Sequence, residues 1–371
     1  MINFPLRSIA VLGLLNITLV SLLTPAQANG FTGESNSEFS LVAGNKVFLN
    51  SGGNFEGDPN DLSDDALIFA SNGFTMNALG NTILPTKRNS AGNILTDTNN
   101  LKILVDNAVA VHTSNPQINA SNNPYKNLTP PPQVDAPTIN ISSYDDLITE
   151  ELSKRDTDID GIRFNAGANP MNNVSDWNRY FPSPGTASKP TVVNVTSGLT
   201  IPGGVNLENY IITVNGTVNF NGVSSLDNVV MILNNGGINI GGTQFNNSAI
   251  FAPNTINMNS NARFSGNSLI VSGGDVNFDG ATDTISADDE LKVVTNGTIT
   301  YNASLDSRSI LLSGNDVNFN ANTTLHGLIV AASDIRCNSY CSVVGLNLDD
   351  ESNSSDNNPD FPDNSIPVFA D

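Results

Sequence analysis

A four-residue pattern, apolar–polar–apolar followed usually by Asn, recurs eight times at nearly one spacing in the C-terminal half of this chain. The copies begin at Leu199, Val218, Ile238, Ile256, Val276, Ile299, Val317 and Ile335, separated by 19, 20, 18, 20, 23, 18 and 18 residues. Self-similarity at a short fixed period marks a solenoid, because one such repeat cannot bury its apolar face alone and must stack on its neighbours. Between copies lie a second apolar run, as in Val229–Leu233 or Ile310–Leu312, and a shorter one, often a single residue such as Phe245, Phe264 or Leu325. Gly and Asn cluster between these runs, where turns require positive φ. Three short strands per 18–20 residues describe one triangular coil. The spacing therefore predicts an all-β fold, a parallel β-helix (β-solenoid) of about eight coils over residues 191–348.

Alternation along a strand assigns the faces. The first and third motif positions point inward, and the second points out as a column of Asn219, Asn239, Asn257 and Asn277, resuming at Asn318 after Thr300. Coils stack ~4.8 Å apart, so these amides can bond along the axis as a ladder. The ladder reads first as structural, with a flat face for glycan or ordered water as the alternative. Asp275, Asp316 and Asp334 each immediately precede a motif and form an acidic column. They are either ordinary turn residues, or a cation or ligand site in which partial burial would raise one pKa.

Residues 66–77 overlay on 268–279 without a gap, so the stretch 29–84 is expected to form N-terminal capping coils. From 85 to 190 the pattern lapses into an insertion. Pro130-Pro131-Pro132 marks an extended connector, and Ser143 can cap a short helix from Tyr144 to about Arg155 with Leu147, Ile148 and Leu152 on one face. Trp177, Tyr180 and Phe181 form an aromatic cluster, read as the small core that docks the insertion, or else as a sugar-stacking platform. Residues 349–371 are polar and acidic and are expected to form a flexible tail.

Residues 1–28 carry the marks of a secretory signal: Arg7, an apolar stretch from Ile9 to Leu23, and Ala26-Gln27-Ala28 for cleavage. No second stretch is long enough to span a bilayer, so no membrane span is expected after signal removal. The expected address is secreted: extracellular, cell surface or periplasm. With 36 Asp+Glu against 15 Lys+Arg the net charge is −21, which excludes a nucleic-acid binder that works by neutralising phosphates. In an exported protein the close pair Cys337 and Cys341 is expected as a disulfide.

The best metal candidate is Asp156-Thr157-Asp158-Ile159-Asp160-Gly161. Three carboxylates at alternate positions and a turn glycine suit calcium, with the Ile162 carbonyl as a further ligand. Gly167 stands where such a loop carries its bidentate Glu, so the loop either binds calcium weakly or is an acidic turn. Catalysis finds little support. His112 and His326 are the only histidines, no nucleophile elbow occurs, and Arg263, Lys292, Arg308 and Arg336 fall at unrelated registers of the coil.

The Val-Asn-Phe-Asn-Gly style with interleaved Leu-Ile-Val runs resembles exported bacterial β-solenoid surface proteins of cyanobacterial type and pilus-associated solenoid modules. The order of early coils, helix-bearing insertion and main solenoid is similar to bacterial ice-binding adhesins. These resemblances imply a right-handed coil and carry over no catalytic residue. A rigid rod, acidic overall and uncharged along its ladder, suits display and matrix contact. The expected function is that of a non-enzymatic structural or adhesive protein of the cell surface or extracellular matrix, with calcium as stabilising cofactor. Its expected partners are polysaccharide, other matrix components or further copies of itself. The alternatives are a carbohydrate-active β-helix (a polysaccharide lyase or glycoside hydrolase) and an ice- or surface-binding protein.

Overall fold

The structure is a computed structural model. It describes residues 39–51, 53–56, 67–70, 73–77, 82–83, 111–113, 116–118, 144–154, 161–167, 171–284, 286 and 289–344. The described strands form two parallel sheets wound as a β-solenoid, one of 18 strands and one of 11. All eight motif copies lie in the 11-stranded sheet and pair in register, Val218 with Ile238, Ile238 with Ile256, and onward to Val317 with Ile335. The burial pattern of these strands alternates as their sequence does, with Asn239 half-buried between buried Ile238 and Ile240.

Inward columns fill the coil with like residues on like. Phe245 stacks on Phe264 with ring centroids 4.7 Å apart, and Tyr301 lies 4.3 Å from Phe278 and 5.5 Å from Phe319. Each such side chain contributes roughly 1.5–3 kcal/mol by leaving water, so the core is a continuous rod along the axis. One corner of the coil is built from left-handed residues. Asn209, Asn228 and Asn247 have φ of 57°, 52° and 46°, and Gly266 takes the same place in the next coil at 58°. Asparagine is the side-chain-bearing residue best suited to this region, because its amide bonds locally. Here Asn228 Nδ2 donates to Asn209 Oδ1 at 2.8 Å.

The early coils do not begin the stack. Leu41, Val42 and Ala43 pair with Ile329, Val330 and Ala331, Val47 with Ile335, and Gly53 with Cys341. The first described strands therefore sit on the coil of the eighth motif copy, the last described in the main solenoid. Strands 67–70 and 73–76 stack on them, and strands 111–113 and 116–118 follow. These last two lie within the 85–190 stretch. At the opposite end, strand Ile162–Phe164 pairs with Val193–Val195. A short helix, Val174–Tyr180, packs there, capped by Asn173 Oδ1, which accepts from Asp176 N at 2.9 Å. Trp177 stacks on Phe181 at 4.1 Å, and Phe181 meets Phe164 and Tyr210 edge-on. Trp177 and Phe181 join the main core, whereas Tyr180 is 37% exposed.

The expected insertion helix runs from Tyr144 to Ser153. Leu147, Ile148 and Leu152 pack with Tyr144 on an apolar outer surface of the 18-stranded sheet, against residues such as Val230, Phe251, Val271 and Val294. Runs like Val229–Leu233 are apolar at every position because one side faces the core and the other is covered. Lys292 interrupts this surface. Burial lowers its amine pKa, Glu150 and Glu290 oppose the shift, and Lys154 adds to it.

Candidate functional site

The predicted acidic column exists, and its carboxylates are bonded from coil to coil. Asp275 Oδ1 accepts from Thr298 N at 2.8 Å and Asp316 Oδ1 from Asp334 N at 3.0 Å. Asp334 Oδ1 accepts from Asn45 Nδ2 at 2.8 Å and Lys46 N at 3.1 Å. Each carboxylate thus holds the backbone of the coil above. Arg336 spans two of them, reaching Asp316 Oδ2 at 2.8 Å and also bonding Asp334 Oδ2, while its guanidinium lies 5.5 Å from the Phe48 ring centroid. Two carboxylates stacked in adjacent coils would repel, and this cation between them offsets that repulsion. The same group of side chains locks the N-terminal coils to the last coil.

The ladder is present too. Asn239 donates to Asn219 at 2.9 Å, Asn257 to Asn239 at 3.1 Å and Asn277 to Asn257 at 2.9 Å. Asn318 lies in the same column between Thr300 and Arg336, where it has no amide neighbour, and its side chain makes no hydrogen bond among the described residues. A second, longer ladder occupies the fourth motif position. Asn302 donates to Asp279, Asn320 to Asn302, Asn338 to Asn320, Asn50 to Asn338 and Asn77 to Asn50, all at 2.6–2.8 Å. In both ladders every amide donates in the same axial direction. Such chains polarise one another cooperatively, and the Asp279 carboxylate terminates the second as a pure acceptor.

Cys337 and Cys341 are fully buried free thiols. Burial and a hydrogen bond with Cys341 push the Cys337 thiol pKa well above its usual value. Cys337 packs beneath Leu49 and Cys341 beneath Gly53, so the pair lies inside the joint with the early coils. Asp156, Asp158 and Asp160 lie outside the described residues. Ile162 opens the end strand, 51% exposed. No group of three or more His, Cys, Asp or Glu side chains able to hold a metal occurs among the described residues.

A different cluster emerges on the outer face of the first half of the 18-stranded sheet. Asn206, Ser225, Gln244, Arg263, Asp283, Asp306, Thr324 and Ser342 stand in one column, each paired in register with the next. Arg263 Nε lies 3.4 Å from Asp283 Oδ2. Asp306 is the Cα partner of Asp283, and beside it Arg308 is paired with His326. Gln244, Asp306, Thr324 and His326 have no side-chain partner among the described residues, in contrast to Asp316 and Asp334.

The chain's one 23-residue interval adds its extra length at this point, between strands Thr282–Thr284 and Glu290–Thr295. Buried Asp289 fastens that turn, accepting from Gly266 N and Ser286 N, both at 2.6 Å. The Arg308 backbone N–H donates to Thr284 Oγ1 at 3.2 Å, which seats Arg308 beside the same turn. Arg263 thus shares its column with two carboxylates, while Lys292, Arg308 and Arg336 each stand in a different column, so the four cations do fall at unrelated registers. The signal was present in the sequence: seven residues after the motif starts at Ile256, Val276 and Ile299 stand Arg263, Asp283 and Asp306.

No family model, curated protein or solved structure matches this chain. No helix among the described residues is long and apolar enough to cross a membrane.

Proposed function

We propose that this is an exported, non-enzymatic structural or adhesive protein of the cell surface or extracellular matrix, with polysaccharide as its partner. The observation that carries the reading is the use made of the polar side chains on the 11-stranded sheet. The acidic column and both amide ladders are engaged in coil-to-coil bonds, so this face stiffens a rod. Calcium at Asp156, Asp158 and Asp160 would add a fastening ahead of the end strand. The Cys337–Cys341 pair would close as a disulfide in an oxidising compartment.

A second reading, a carbohydrate-active β-helix, is favoured by one arrangement: Asp283 and Asp306 in adjacent coils beside Arg308 and His326. Paired carboxylates are what glycoside hydrolysis requires. The two readings separate when the purified protein is offered neutral and acidic polysaccharides with calcium and with chelator. Retention without shortening of the polymer supports the adhesive reading. Shortened polymer, abolished in Asp306→Asn, replaces it with the second, and absence of both overturns both.

A further inference from the structure

We infer that the outer column running from Asn206 to Ser342 is a binding track for an extended neutral glycan, centred on Asp283, Asp306, Arg308 and His326. The inference deepens the adhesive reading and rests on it. Among the outward surfaces of the coil, this one keeps polar groups in reserve. The 11-stranded sheet carries the two amide ladders and the acidic column, whose members bond along the axis, and the second half of the 18-stranded sheet is largely apolar and buried around Phe251. On the inferred track, Asp306 and His326 are exposed and unpartnered among the described residues.

The shape selects a polymer. Eight register-matched polar residues at ~4.8 Å intervals span roughly 34 Å, far longer than a monosaccharide. The charge selects a neutral one. Arg263 and Arg308 balance Asp283 and Asp306, leaving no cationic excess to hold a polyanion, and the chain as a whole carries −21. Sugar hydroxyls would donate to the exposed Asp306 carboxylate, the pairing of charged and neutral partners that makes the stronger class of hydrogen bond. His326 and Thr324 extend the contact into the next coil, and Gln244 extends it on the other side of Arg263.

The test is affinity electrophoresis of the full mature chain through gels containing dextran, laminarin or hydroxyethylcellulose, with alginate as the acidic comparison. Wild type is expected to be retarded by at least one neutral polymer. Asp306→Ala should weaken binding about tenfold or more, the loss of one charge-assisted contact. His326→Ala and Gln244→Ala, at exposed positions in other coils, should weaken it severalfold and carry the test if Asp306→Ala unfolds. Asn239→Ala, on the ladder, should bind within about twofold of wild type. If the three track variants bind as wild type does, the track is wrong and the adhesive reading stands. Loss in Asn239→Ala alone also overturns the track, moving the glycan to the ladder. Preference for alginate overturns the neutral class, and no retardation of wild type by any polymer overturns both the track and the adhesive reading.

Discussion

Asn228 isolates what the left-handed corner contributes. Its backbone sits at φ 52°, and its amide donates to Asn209 Oδ1 at 2.8 Å and to Ala187 O at 3.3 Å. Ala keeps the β-carbon that Asn228 already places in the left-handed region but lacks the amide that offsets its cost, which is roughly 1–2 kcal/mol. It also removes two half-exposed hydrogen bonds, together about 1 kcal/mol at the lower end of their usual range. Asn228→Ala should therefore destabilise by about 2–3 kcal/mol. Asn228→Gly loses the same bonds and adopts the conformation freely, so it should lose only about 1 kcal/mol. Urea unfolding followed by fluorescence suits the measurement, because Trp177 is the single tryptophan. Its helix leads directly into the segment that holds Ala187. Equal losses for Ala and Gly would refute the backbone argument, and a loss below about 0.5 kcal/mol for Ala would refute the whole account of the corner.

Arg336→Met should lower stability by about 1–2 kcal/mol in the same assay. This is less than for a fully enclosed ion pair, because the guanidinium side chain is 37% exposed; an unchanged urea midpoint would show that Asp316 and Asp334 do not depend on it. Lys292→Met should be more stable than wild type at neutral pH. The folded amine titrates below its ordinary value of 10.5, so the unfolded chain binds more protons between the two values and wild-type stability rises with pH there. The advantage of Met should shrink as pH passes the folded pKa and reach its minimum above 10.5; a gain independent of pH would refute the role of the buried charge. Thiol labelling of reduced protein should leave Cys337 and Cys341 unmodified until the joint opens in denaturant, and intact mass of exported protein should fall by two hydrogens; rapid labelling of the native reduced protein would contradict the burial.

The coil was legible because its information is local. A motif of inward and outward residues carries its own period, and Asn219, Asn239, Asn257 and Asn277 could be aligned by counting. The helix from Tyr144 was legible for the same reason, since Leu147, Ile148 and Leu152 mark one face. The seat of the early coils was not, because its contacts join residues 288 and 289 positions apart, as between Lys46 or Asn45 and Asp334, and nothing local encodes them. The use of Asp316 was hidden for a related reason. One of its partners is a backbone N–H, which nearly every residue carries, and the other, Arg336, stands in the next coil. Asp283 and Asp306 required matching carboxylates and cations by their offset from the motif, a comparison that the unequal 23-residue interval obscures beyond the first two strands of the coil.

The docking of strands 39–56 on residues 329–344 sets an order of events in time. A ribosome produces the early coils first and their seat last. Until Ile335 and Cys341 exist, Val47 and Gly53 have no partner to extend, and a short stack cannot hold its apolar face against water alone. Contacts of such sequence separation carry the loop-closure cost that slows folding. The final step in assembling the rod is therefore the return of its beginning, and a chain cut short before Ile335 should leave its first coils as exposed sheet edges, open to protease and to aggregation.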